Sequence, residues 1–76
     1  MNDKNRKPTQ AQRILAYLKN HRYITQREAI NDIGCYRLGA RIWELKHDGH
    51  PIKTEIIPVK NRWGEVSHVA AYSLED

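Results

Sequence analysis

Cys35 is the only cysteine in the chain, so no internal disulfide can form, which agrees with a reducing compartment. No stretch approaches the roughly 18 apolar residues that span a bilayer. The opening Asn2, Asp3, Lys4, Asn5, Arg6 and Lys7 has no apolar centre of the kind a secretory signal needs. The expectation is a protein that stays in the cytoplasm, without membrane partners. Catalytic and metal-binding patterns are equally scarce. Cys35 has no evident base, and Ser67 and His68 are neighbours that a strand would send to opposite faces. His47 and His50 flank a turn while His21 and His68 are scattered, so no familiar ligand spacing is present. A non-enzyme without metal, other cofactor or small-molecule substrate is expected.

Acidic residues are in deficit, 9 Asp and Glu against 13 Lys and Arg, and the net charge of +4 favours polyanionic partners without naming one. With 76 residues, 39% of them hydrophobic, the chain has material for one small core. A domain of this size buries roughly 60% of its unfolded surface.

Residues 1–8 are polar and basic, lack periodicity and end in a helix-disfavouring Lys7-Pro8 step. They read as a disordered basic arm ahead of one domain over residues 9–76. Lys4, Arg6 and Lys7 either track a groove or simply solvate the tail. Thr9 is placed to cap a helix with Gln12 at its third position. Ala11, Ile14, Leu15 and Leu18 then form an amphipathic stripe that carries the helix to about Asn20. Tyr23-Ile24 is too short for an independent strand and is expected to pair with a later hairpin.

Thr25 opens a second helix with Glu28 placed to complete a capping box, Ala29, Ile30 and Ile33 supply its buried side, and Gly34 ends it in a left-handed cap. A tight turn through Cys35-Tyr36 leads into a third helix beginning near Tyr36. Its inward positions are Leu38, Ile42 and Leu45, and Asp48-Gly49 ends it before Pro51. From Ile52 the period changes to two, with Ile52, Thr54 and Ile56 inward, and a second β-rich run spans Val66 to Leu74. A hairpin tip at Asn61-Arg62-Trp63-Gly64 that pairs Lys60 with Glu65 sends Ile56 and Tyr72 to opposite faces. A bulge near Ile57-Pro58 is therefore expected, with Ala70, Tyr72 and Leu74 closing the core.

This order of helix, stub, helix, turn, helix and hairpin resembles the winged helix-turn-helix superfamily, including the small DNA-binding domain of biotin repressors, over about Thr9 to Leu74. Arg37-Leu38-Gly39-Ala40-Arg41-Ile42-Trp43-Glu44-Leu45-Lys46, followed by Gly49 and by Ile52-Lys53-Thr54, looks more closely like a helix-turn-helix family of short phage and prophage proteins. The resemblance implies an α+β fold of three helices and a C-terminal hairpin wing. It implies double-stranded DNA as partner, in a regulator of phage or prophage genes or an excisionase-like architectural factor in a bacterial host. The chain is expected to work without an attached sensing or dimerisation module, so a homodimer or a partner protein on DNA would supply tight binding.

In such a fold the third helix enters the major groove with its outward side. At 100° per residue that side holds Tyr36, Arg37, Ala40, Trp43, Glu44 and His47, with Arg41 on one flank. Arg37 is the first candidate for a base edge, and Arg41 reads a base or holds a phosphate. Tyr36 and Ala40 share the same face. Glu44 either accepts from cytosine or pairs with Arg41, and Trp43 is assigned to packing. Gln26 and Arg27 at the start of the second helix are candidates for phosphate, with Thr25 serving mainly as a cap. Lys60, Arg62 and Trp63 stand at the wing tip within reach of phosphates or the minor groove, unless Trp63 folds back on the sheet. The same exposed aromatics suit a second reading, a protein-interaction winged helix that modulates a host or phage protein.

Overall fold

The computed structural model describes residues 9–75, so the expected basic arm at residues 1–8 lies outside the described residues. The element order is α1 (Gln10–Asn20), α2 (Gln26–Glu28) running on as a π-helical turn (Ala29–Ile33), α3 (Leu38–His47), β1 (Ile52–Lys60) and β2 (Val66–Leu74). Three helical segments followed by an antiparallel hairpin give the α+β architecture that the sequence predicts.

The cap of α1 forms as its spacing requires. The Gln12 amide donates to Thr9 Oγ1 at 3.1 Å, and the Thr9 amide donates to Gln12 Oε1 at 2.8 Å. Ile14 and Leu18 are buried on the inner stripe. On α1's flank the Tyr17 hydroxyl donates to Asp32 Oδ2 at 3.1 Å, clasping α1 to the second helical segment. Burial first, then this hydrogen bond, raises the Tyr17 pKa above its ordinary 10.0.

The second segment departs from a regular helix. After one α-turn it widens, and the Cys35 amide reaches back to the Ala29 carbonyl at 2.9 Å while Gly34 bonds Ile30 at 3.1 Å. The widened turn keeps Ala29 and Ile33 on the core but swings Ile30 to 36% exposure, against the expected burial. Gly34 sits at φ 81°, the left-handed cap that ends the segment. The third helix starts later than expected: Tyr36 and Arg37 precede it, with Arg37 as its N-cap residue. Leu38, Ile42 and Leu45 all point inward. At its end the His50 amide reaches the Leu45 carbonyl at 3.1 Å and the Gly49 amide the Lys46 carbonyl at 3.0 Å, closing a Schellman cap.

The hairpin is an unbroken ladder, Ile52 opposite Leu74 through to Lys60 opposite Val66, so the expected bulge is absent. The reason lies at the tip, which takes Asn61 to Glu65. Lys60 pairs with Val66 rather than Glu65, and this shift of one puts Ile56 and Tyr72 on the same face without a bulge. Ile24 joins the outer edge of β2 as a one-residue rung of its own, exchanging hydrogen bonds with Tyr72 at 2.8 and 2.9 Å. Ile52, Tyr72 and Leu74 pack on the core made by Ile14, Leu18, Ile24, Ala29, Cys35, Leu38, Ile42 and Leu45. Ile56, expected to face inward, is 65% exposed, since β1 gives the core cluster Ile52 and no residue further along the strand. Pro58 is tolerated on β1, whose outer edge carries no strand among the described residues.

Candidate nucleic-acid interface

Arg37 lies in the turn just ahead of α3 and makes no side-chain cap. The start of α3 is instead held by a residue from the preceding segment. Gln26 Nε2 donates to the Cys35 carbonyl at 2.7 Å, and the Leu38 amide donates to Gln26 Oε1 at 3.1 Å. One carboxamide therefore ties both ends of the turn to α2 and satisfies an otherwise orphan amide of α3. Gln26 is a positioning residue by this geometry, with both polar ends already engaged. Thr25 is buried as the N-cap residue of α2, and its amide and hydroxyl both donate to Glu28 Oε1, at 3.0 and 2.6 Å, so Glu28 reaches back to close the capping box.

Arg27 remains exposed beside this clasp. It lines a groove of about 230 Å3 whose walls include Leu38 and Gly39 of α3 and Val59 and Lys60 of the hairpin. The far part of the wing thus stands beside the entry of α3, which brings Arg27 and Lys60 to one side of the molecule. Arg37 adjoins Leu38 in sequence, and Arg62 and Trp63 follow Lys60 beyond the last rung. Tyr36 is 75% exposed on the same turn, and Ala40 is exposed one residue after Gly39.

Further along α3, Arg41 Nη1 pairs with Glu44 Oε2 at 2.8 Å, the intrahelical alternative of the two open for Glu44. Arg41 Nε is buried without a hydrogen-bond partner, so that one N–H of the guanidinium is unsatisfied. Trp43 departs from the packing role expected of it. It is 60% exposed and rests against the His47 ring, centroids 3.9 Å apart, because position 43 falls outside the arc of Leu38, Ile42 and Leu45. Its spacing of four from His47 on the outward arc was the signal for this pairing. Lys46, absent from the sequence candidates, sends Nζ to Thr54 Oγ1 at 3.4 Å and so leans on the hairpin.

At the wing tip Trp63 does not fold back: it is 75% exposed, with the Arg62 guanidinium carbon 5.6 Å from its ring centre. Residues 9–76 match the family model of a winged helix-turn-helix domain. The chain belongs to that family. No curated protein and no solved structure matches it. In this winged helix-turn-helix domain the turn is the segment that Gln26 clasps, α3 holds the recognition position, and β1 with β2 forms the wing. Membership supports DNA as the partner. Among the described residues no helix is long and apolar enough to cross a membrane, and no three His, Cys, Asp or Glu side chains are grouped to hold a metal ion.

Proposed function

We propose that the protein binds double-stranded DNA with sequence preference, as a regulator of phage or prophage genes or as an excisionase-like architectural factor in the cytoplasm of a bacterial host. The observation that carries this reading is the groove between α3 and the wing, where Arg27 and Lys60 flank the helix entry that Arg37 introduces. Positive groups of α2 and the wing on one side, with Arg37 in the turn that leads into α3, suit a duplex, whose phosphates lie on both rims of the major groove. In this arrangement α3 enters the major groove, Arg37 pairs with a base edge, and Arg41 takes a base or phosphate. Tyr36 and Ala40 contact bases or sugar on the same face. Arg27 and Lys60 grip phosphates, and Arg62 with Trp63 reaches the backbone or minor groove.

One copy contacts about half a dozen phosphates, so affinity is modest and falls steeply with salt. Tight binding then needs repeated sites, a second copy or a partner protein. Fluorescence anisotropy with a random duplex at low and physiological salt tests the proposal. Salt-sensitive binding supports it, and no binding at low salt overturns it. Exposed Trp43, Trp63 and Tyr36 favour the second reading, a module that modulates a host or phage protein. Salt-insensitive capture of a purified protein through these aromatics is its signature.

A further inference from the structure

The wing tip is built to hold one aromatic side chain outward. Asn61 organises it: Asn61 Oδ1 accepts from the amides of Trp63 and Glu65, both at 2.9 Å, and Asn61 Nδ2 donates to Glu65 Oε1 at 3.1 Å. The backbone closes the loop, Asn61 N to the Glu65 carbonyl at 2.8 Å and Gly64 N to the Asn61 carbonyl at 3.0 Å. Gly64 holds φ 80°, a left-handed turn that side-chain-bearing residues resist. A loop with its polar groups so engaged loses little entropy on binding, yet it exposes a tryptophan that gains nothing from the fold.

Position and width fit a specific target. Lys60 lines the groove beside Leu38 and Gly39 at the start of α3, and the tip that carries Trp63 begins at the next residue. On B-DNA a minor groove borders the major groove across the phosphate backbone on either side, so a tip beside a helix seated in the major groove faces that boundary. One indole is flat enough to enter a groove of about 6 Å, which a whole hairpin is not. The Arg62 guanidinium carbon stands 5.6 Å over the ring while Trp63 stays 75% exposed, so the indole keeps a face open to stack and a positive charge beside it for the flanking phosphates.

From this we infer that Trp63 acts as a wedge: its free face enters the minor groove beside the site read by α3, partly unstacks one base step and bends the duplex. The inference rests on the DNA-binding reading and adds a deformation that the reading does not require. Flexible pyrimidine–purine steps, TA above all, resist such unstacking least and are the preferred entry points.

The test uses the full chain and an A·T-rich duplex of about 25 bp with one central TA step, labelled at both ends for energy transfer and carrying 2-aminopurine at that step. The wild-type protein is expected to shorten the end-to-end distance and raise 2-aminopurine fluorescence at saturation. Trp63→Ala should bind roughly tenfold more weakly, the loss of one base–aromatic stack, and at saturation leave the duplex straight and the probe dark. Trp63→Leu, still an apolar wedge, should restore part of both signals. A saturated Trp63→Ala complex that bends and brightens like wild type overturns the wedge and leaves DNA binding standing. No binding by the wild-type protein, even at low salt, overturns both.

Discussion

The Gln26 side chain and the Leu38 backbone amide are joined at 3.1 Å, across twelve residues and the turn between two helices. The same carboxamide donates to the Cys35 carbonyl at 2.7 Å, so the start of α3 is tied down by a side chain that α3 does not contain, while Leu38, Ile42 and Leu45 anchor its length in the core. A helix that must meet base edges needs such a fixed origin, since small misplacements forfeit hydrogen bonds.

Replacing Gln26 with Ala removes both bonds and leaves the Leu38 amide and Cys35 carbonyl short of partners. Each net hydrogen bond is worth about 1 kcal/mol, so urea unfolding should show a loss of about 2 kcal/mol. DNA affinity should fall for all duplexes alike, because Gln26 positions the helix and does not read sequence. An unchanged unfolding midpoint contradicts the positioning role.

Arg37 and Arg62 are assigned different work, base edge against backbone, and alanine substitutions separate them. Arg37→Ala should cost about 1–3 kcal/mol on the preferred duplex and much less on others, relaxing specificity. Arg62→Ala should weaken every duplex equally and lower the salt slope by about one. Equal, uniform losses for both contradict the division.

The sequence made most of the frame legible because its signals were local. The Thr9–Gln12 pair, the Gly34 cap and the spacing of Leu38, Ile42 and Leu45 each appear in the structure where the residues place them. What it hid depended on geometry that no local pattern encodes. One extra residue in the hairpin tip turns an expected bulge into a straight ladder, and a π-widened turn moves Ile30 outward. Ile56 follows the strand period yet is exposed, since periodicity gives the face of a strand but not how far along it the core reaches. The cations of the candidate site could be named from the sequence, whereas the long-range clasp made by Gln26 could not.

Gly39 lies in the first turn of α3, without the positive φ that would demand glycine, and a Cβ there would meet nothing within 4 Å. Gly39→Ala should therefore stabilise the helix by about 0.5–1 kcal/mol and raise the melting temperature by several degrees. Because Gly39 lines the groove beside Arg27 and Lys60, the added methyl should hold the duplex away and weaken binding. Melting and anisotropy on the same variant check both signs. A stabilised variant that binds as well as the wild type shows that the groove wall does not touch DNA.

Glu44 holds Arg41 at 2.8 Å in the free protein, with both side chains partly exposed. Glu44→Gln should change stability by less than about 0.5 kcal/mol, as expected for an exposed intrahelical pair. It should tighten DNA binding and steepen the salt dependence by about one counterion, because Arg41 no longer has to leave a carboxylate. Unaltered affinity and slope place Arg41 outside the interface.

Sequencing the duplexes that the full chain retains from a randomised pool, at low salt where a single copy binds, addresses the central claim most directly. A domain that inserts α3 into the major groove should enrich one short motif, and Arg37→Ala should blur it at a defined position. Recovery of all sequences in equal proportion, or of none, contradicts sequence reading by α3.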